Sequence, residues 1–75
     1  MELNREIRRQ RRWIDMTQRD LARAVGVSLS TISDWEKGNR IPSVEKLTAL
    51  AGVFGMTETE LLHPREGVHS IAIPA

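Results

Sequence analysis

Side chains that donate and accept hydrogen bonds are concentrated in residues 27–38, which read VSLSTISDWEKG. If Ile32 and Trp35 face inward, the opposite face of a short helix carries serine, threonine and aspartate. Such side chains bind a partner through hydrogen bonds, and a hydroxyl becomes a nucleophile only beside a base. His63 and His69 have no cysteine and no carboxylate pair beside them in the sequence, so no metal site and no catalytic site is predicted. The residues therefore predict a binding surface and no enzyme.

Length and composition restrict the class of protein further. Seventy-five residues are enough for one domain but not for two that each bury a core. The sequence has no cysteine, which excludes disulfides and thiolate ligands and is typical of a reducing, cytoplasmic setting. No apolar run is long enough for a membrane span, and the charged N-terminal segment is unlike a signal peptide. There is no glycine-rich phosphate loop, so no cofactor is expected.

Positive charge is concentrated in the first half of the chain. Residues 1–42 contain nine Lys and Arg against six Asp and Glu, whereas residues 43–75 contain two against four. The densest run, REIRRQRR, places five arginines within residues 5–12. Such a run is either a solvated helix face or a surface for an anionic partner, and by itself it does not decide between them.

Apolar residues recur at helical spacing up to residue 62, and cap residues divide the chain into five helices without a strand. In the first helix Leu3, Ile7 and Ile14 share one face, and Arg11 falls on the same stripe, where it needs a partner. Helix starts are predicted at Thr17, Ser28, Ser43 and Thr57, and helix ends at Gly26, Gly38 and Gly55. The inner face of the fourth helix is predicted to hold Val44, Leu47, Leu50 and Phe54.

Two of these helices, residues 18–25 and 28–37, are joined by a very short turn at Gly26 and Val27. This spacing is typical of a helix-turn-helix, in which the second helix enters the major groove of DNA and the first crosses the backbone. The inward positions of both helices are filled by Leu21, Ala22, Val25, Val27, Ile32 and Trp35. The pattern predicts double-stranded DNA as a partner.

The sequence from Ile7 to Leu62 resembles the lambda-repressor-like family, also called the Cro or XRE-type helix-turn-helix. The shared features are an arginine seven residues before the glutamine of TQ, the run LARAVGVS, the ending ISDWEKG, a proline after the next loop and an apolar fourth helix. The resemblance implies an all-α five-helix bundle of the lambda-repressor-like type over residues 1–63. Residues 64–75 are then a short non-helical tail, either disordered or a strand that forms a dimer.

The resemblance also assigns a partner to Arg11. Arg11 and Glu36 match two positions that form a buried ion pair in family members, and a buried guanidinium without a carboxylate is costly. We therefore expect Arg11 to be structural and not to bind phosphate.

The resemblance implies two sets of DNA contacts, since phosphate contacts set register and base contacts set sequence preference. The residues implied to contact phosphate are Thr17, Gln18, Thr31, Lys37, Asn39 and Arg40. The residues implied to face the bases are Ser28, Leu29, Ser30, Ser33 and Asp34. Leu29 can touch a thymine methyl and Asp34 can accept from cytosine N4. Ser28 is explained as well by helix capping, and the loop at Asn39 and Arg40 by solvation.

Two residues depart from the family pattern or have no assigned role. Asp15 stands where family members often have glycine, but aspartate tolerates the left-handed backbone region, so the first helix can still end there. Trp13 lies off the apolar stripe and is either a partial lid on the core or part of a contact surface.

The function implied is a sequence-specific transcriptional regulator, a repressor that binds a two-fold operator as a homodimer. The residues implied for the dimer surface are Leu61, Leu62, Val68, Ile71 and Ile73. The alternative is a protein-interaction module on the same fold, such as an antitoxin that binds a toxin. Asp34 and the absence of a long amide or guanidinium among the base-facing residues favour that alternative slightly, whereas Gln18, Lys37 and Arg40 favour DNA.

Overall fold

The computed structural model describes residues 2–63 and places five α-helices in them. These are α1 (Glu2–Trp13), α2 (Gln18–Val25), α3 (Leu29–Lys37), α4 (Val44–Phe54) and α5 (Glu58–Leu62). Residues 2–63 contain no strand, and none of their helices is both long and apolar enough to span a membrane. The predicted all-α, five-helix fold is confirmed. The predicted tail of residues 64–75, with Val68, Ile71 and Ile73, lies outside the described residues.

Side-chain caps fix the starts of the last four helices, as the sequence predicted. Thr17 Oγ1 accepts a hydrogen bond from the backbone N–H of Asp20 at 3.0 Å, and the Asp20 carboxylate accepts one from the backbone N–H of Thr17 at 3.0 Å. This reciprocal capping box recurs between Thr57 and Glu60. The other two caps are Ser28 and Ser43. Each cap stabilises its helix by about 1 kcal/mol.

Residues with left-handed backbone angles follow the first four helices. Gly26 has φ 78° and ends α2, and its N–H donates to the carbonyl of Ala22 at 2.8 Å. Glycine takes this angle without the steric cost of a Cβ. Asp15 turns the chain after α1 at φ 57°, and among residues 2–63 it is the one residue other than glycine with a positive φ. Because these turns are short, α2 and α3 form the predicted helix-turn-helix.

The core is formed where α1 packs against α3, α4 and α5, while α2 packs against α3 and α4. The buried apolar side chains are Leu3, Ile7, Leu21, Ala22, Val25, Ile32, Trp35, Leu47, Leu50, Ala51, Phe54 and Leu61. Burying one of the larger of these contributes about 1.5–3 kcal/mol. Ile32 and Trp35 anchor α3 from the core side, which leaves the opposite side of that helix accessible.

Three apolar residues lie elsewhere than predicted. Val44 is 78% exposed and does not face inward, because it is the first residue of α4 and its side chain points past the helix end. Ile14 follows the last residue of α1 and is partly exposed. Leu61 was predicted on the dimer surface but is fully buried, since α5 packs against α1 and α4.

Candidate nucleic-acid interface

The accessible side of α3 holds the residues that the sequence assigned to the bases. Ser28, Leu29 and Ser30 are exposed at the start of the helix, and Ser33 and Asp34 are half-buried one turn further on. They share this side because Ile32 and Trp35 occupy the opposite one. The structure therefore brings all five together on one surface.

Hydroxyl groups on this surface are hydrogen-bonded to one another. Ser28 Oγ lies 2.8 Å from Thr31 Oγ1 and 3.1 Å from Ser30 Oγ, and it also accepts from the backbone N–H of Thr31. Ser28 is thus engaged as the helix cap. Leu29 is 41% exposed and is the one large apolar side chain in this first turn. Asp34 forms no ion pair with any other residue between 2 and 63.

Five of the six residues assigned to phosphate lie at two places beside this surface, and the sixth, Thr31, is half-buried on α3 itself and hydrogen-bonded to Ser28. Thr17 and Gln18 stand at the start of α2, where the first backbone N–H groups have no partner within the helix. Lys37, Asn39 and Arg40 are exposed at the end of α3 and in the loop after it. The two groups therefore lie at the start of α2 and at the end of α3, before and after the residues assigned to the bases along the chain.

A buried ion pair joins α1 to α3, as predicted. Arg11 Nε lies 2.6 Å from Glu36 Oε2, and Arg11 Nη2 donates to Glu36 Oε1 at 3.1 Å, which makes the contact bidentate. The two side chains are 11% and 4% exposed. Arg11 Nη1 also donates to the carbonyl of Met16 at 2.8 Å. Arg11 is thus engaged on both sides inside the protein, in agreement with a structural role.

Gln18 is connected to the same ion pair. Its Nε2 donates to Glu36 Oε1 at 3.1 Å, so the amide at the start of α2 is held by a carboxylate of α3. The Nε2 group carries two N–H bonds, and Glu36 uses one of them. The second N–H makes no hydrogen bond to any residue between 2 and 63. This hydrogen bond ties the start of α2 to the last turn of α3, from which Glu36 projects.

Sequence reasoning missed two polar residues of α1 that are hydrogen-bonded inside the fold, Asn4 to α3 and Glu6 to other residues of α1. Asn4 Nδ2 donates to the carbonyl of Glu36 at 3.1 Å, and Asn4 Oδ1 is buried with no hydrogen-bond partner among residues 2–63. Glu6 is buried and accepts from Gln10 Nε2 at 2.8 Å and from Arg9 Nη2 at 3.3 Å. For Glu6 the signal was available, because Gln10 and Arg9 follow it at helical spacing. For Asn4 the partner is 32 residues away, so no local pattern marks it.

One ionisable group near the interface has a displaced pKa. The backbone N–H of Thr17 donates to the Asp20 carboxylate and holds the pKa of Asp20 below its ordinary value, and the Thr17 hydroxyl and Arg23 act in the same direction. Asp20 therefore stays charged at the positive end of α2. Among residues 2–63 no group of three or more metal-ligating side chains converges.

The sequence model of the helix-turn-helix family matches residues 7–61, which contain the ion pair, α2, α3 and the turn between them. The chain belongs to the lambda-repressor-like helix-turn-helix family. The match ends at Leu61, where the buried part of α5 ends. The resemblance that the sequence carries is confirmed.

Three similar proteins illustrate the range of the family. BcrR, a helix-turn-helix transcriptional activator of Enterococcus faecalis, is 36% identical over 66 residues, which are 88% of this chain and 32% of BcrR. YazB, an uncharacterized helix-turn-helix regulator of Bacillus subtilis, is 36% identical over 62 residues, 83% of this chain and 90% of YazB. The P22 c2 repressor, solved with synthetic operator 9T, has a TM-score of 0.79 and 32% identity, over 84% of this chain and 96% of that one. The chain thus spans about a third of BcrR but most of YazB.

Proposed function

We propose that this protein is a sequence-specific DNA-binding transcriptional regulator of the cytoplasm, a repressor that binds a two-fold operator as a homodimer through residues 28–37. The observation that carries the proposal is the exposed first turn of α3, a helix whose last turn is tied to α1 by the Arg11–Glu36 pair, together with groups suited to phosphate at the start of α2 and after α3. The P22 c2 repressor, which shares this fold, was solved with an operator, and this supports DNA as the partner.

Base contacts are proposed for Ser28, Leu29, Ser30, Ser33 and Asp34. The exposed Leu29 is suited to a thymine methyl, and the Asp34 carboxylate accepts from cytosine N4. The serine hydroxyls donate or accept, so they discriminate weakly between bases. None of the five makes a bidentate contact to guanine or adenine. Sequence-dependent DNA shape therefore carries a larger share of the specificity.

Phosphate contacts are proposed for Thr17, Gln18, Thr31, Lys37, Asn39 and Arg40. At the start of α2 the second N–H of Gln18 Nε2 joins the free backbone N–H groups, so a phosphate there meets several donors at once. Because Glu36 already orients Gln18, little side-chain entropy is lost when the phosphate binds. Lys37 and Arg40 add charge on the other side of α3.

A homodimer is proposed because one recognition helix spans only a few base pairs, and two-fold operators place half-sites about 34 Å apart. With Leu61 buried, the proposed dimer surface is reduced to Leu62, which is 37% exposed, together with Val68, Ile71 and Ile73. Residues 1–63 as the DNA-binding domain and 64–75 as a dimer-forming tail remain part of this proposal.

Fluorescence anisotropy with a labelled duplex, titrated at several salt concentrations, tests DNA binding. Gln18→Ala and Lys37→Ala are each expected to weaken binding to duplexes of different sequence by a similar factor, and Lys37→Ala, which removes a positive charge, is also expected to lower the salt slope by about one. Asp34→Ala is expected instead to change the preference at one base pair. Thr48→Ala, which removes an exposed hydroxyl on α4, is the matched control and leaves binding unchanged. No affinity of the wild-type protein for any duplex at low salt would refute the proposal.

A second candidate is a protein-interaction module, such as an antitoxin that binds a toxin. The observation that favours it is that the residues proposed to face the bases have short side chains, and the one charged side chain among them is the acidic Asp34. The same variants distinguish the two functions. In a protein-binding module Asp34→Ala weakens the protein complex, and Gln18→Ala and Lys37→Ala have no common effect on duplex DNA.

A further inference from the structure

We propose that Arg5, Arg8 and Arg12 on α1 form a second DNA contact, which binds the backbone of the duplex outside the base pairs that face α3. We call these three residues the α1 arginine stripe. The inference rests on the proposed function, because it requires a duplex bound at α2 and α3. The contact would use a surface of α1, which is separate from the side of α3 proposed to face the bases.

The three arginines lie on one side of α1. Spacings of three and four residues place side chains on the same helix face, and seven residues span roughly 10 Å along the axis. All three are exposed, because the opposite side of α1 is occupied by Leu3, Ile7 and the other buried residues of the helix. Together with Trp13 they line a shallow surface hollow. The stripe is therefore a continuous cationic surface with its side chains free to meet a partner.

The charge of the stripe is not neutralised within the described part of the chain. Of the neighbouring arginines, Arg9 pairs with Glu6 and Arg11 pairs with Glu36. No carboxylate of residues 2–63 lies within 4.0 Å of a stripe guanidinium. Like charges three and four residues apart repel each other and destabilise a helix. The helix dipole favours Arg12 in the last turn of α1, but it does not remove the repulsion among the three arginines, which an anionic partner would relieve.

The stripe is continuous with the start of α2. Arg12 lines a second hollow together with Thr17, Gln18 and Arg19, and one carboxylate, that of Asp15, lines it as well. This second hollow is where a phosphate is proposed to bind. A duplex carries one negative charge for about every 1.7 Å of its axis, so a strand seated at Gln18 continues past Arg12 with further phosphates. Continuity with that site favours a DNA backbone over an acidic protein segment as the occupant.

Arginine is suited to this partner. Its planar guanidinium donates two parallel hydrogen bonds to a phosphate and carries its charge at every physiological pH. Contacts to phosphate add affinity without selecting a sequence. The stripe therefore strengthens binding by a protein whose base-facing side chains are short, and it lengthens the stretch of DNA that one subunit covers.

The test measures the salt dependence of binding to a fluorescein-labelled 30-base-pair duplex of mixed sequence. Each of Arg5→Ala, Arg8→Ala and Arg12→Ala is expected to lower the slope of log K against log salt by about 0.9, and the triple variant by about 2.7. Arg23→Ala removes an exposed arginine on α2 that lines neither of the two hollows, so it is the matched control and is expected to keep the wild-type slope. Replacing all three stripe residues by lysine keeps the charge and is expected to keep the slope.

Each outcome decides the inference. A wild-type slope in the triple alanine variant, while Lys37→Ala lowers it, overturns the stripe and leaves the proposed function intact. Binding of poly-glutamate, an acidic polypeptide, is measured in the same way. If the triple variant loses poly-glutamate binding and keeps duplex binding unchanged, the inference is also overturned and the stripe is assigned to an acidic protein segment. No duplex binding by the wild-type protein overturns both proposals. If circular dichroism shows that the triple variant does not fold, the three single variants decide.

Discussion

Replacing Arg11 by methionine is expected to destabilise the fold strongly, because the Glu36 carboxylate then stays buried without its cation. Glu36 accepts hydrogen bonds from Arg11 Nε at 2.6 Å, Arg11 Nη2 at 3.1 Å and Gln18 Nε2 at 3.1 Å. The substitution removes two of these three bonds and also the donor to the carbonyl of Met16. Breaking a buried pair on one side costs about 3–5 kcal/mol. A domain of this length has a total free energy of unfolding of about 4–11 kcal/mol, so the loss is a large part of it.

The double variant tests whether each single substitution is costly because it leaves the partner charge buried and unpaired. In Arg11→Met with Glu36→Met, two side chains of suitable length fill the space and no charge stays buried, so the double variant is expected to be more stable than either single variant. The assay is urea unfolding at 25 °C, followed by circular dichroism, on the wild type and all three variants. If the two losses simply add in the double variant, Arg11 and Glu36 are not energetically coupled as an ion pair.

Three further predictions concern residues around this centre. Asp15→Gly is expected to raise the free energy of unfolding by about 1 kcal/mol, since glycine takes φ 57° without strain; no gain in urea unfolding would contradict this. The pKa of Asp20 is lowered in the folded state, so the Asp20 carboxylate stabilises the fold above its unfolded pKa, and this stabilisation is lost as pH falls through the folded pKa. Asp20→Asn is expected to flatten this acid dependence in unfolding curves measured between about pH 5 and pH 2. A pH dependence that the substitution leaves unchanged would count against the capping box. Leu61→Ala is expected to lower the free energy of unfolding by about 2–5 kcal/mol in thermal or urea unfolding, whereas Leu62→Ala is expected to change it by less than about 1 kcal/mol. Equal losses in the two variants would contradict the burial of Leu61, and not Leu62, in the core.

The helix boundaries were predictable because their signals are local. A cap such as Thr17 and its return partner Asp20 are three residues apart, and the glycine that ends α2 directly follows the last buried residue of that helix. The Arg11–Glu36 pair was predictable for a different reason. Periodicity placed Arg11 on the apolar stripe of α1, and the family resemblance supplied the partner from α3.

The misplaced residues lacked such a signal. α5 has five residues, too few for a periodic pattern to show whether Leu61 or Leu62 faces the core. Val44 has the right spacing for the inner face of α4 but lies at its first position, where a side chain extends beyond the packed helices. Asn4 contacts Glu36 across 32 residues of sequence, and a polar residue beside an apolar stripe looks like surface. In each case tertiary packing, and not the local sequence, determines the position.

Selection of bound sequences from a random duplex pool tests the central claim most directly, that the first turn of α3 reads bases in the major groove as part of a homodimer. We predict enrichment of a two-fold symmetric sequence with half-sites about 10 base pairs apart, and the Asp34→Ala variant is expected to lose its preference at one position of each half-site. No enrichment over the starting pool, or an enriched sequence that Asp34→Ala leaves unchanged, would contradict this assignment of α3.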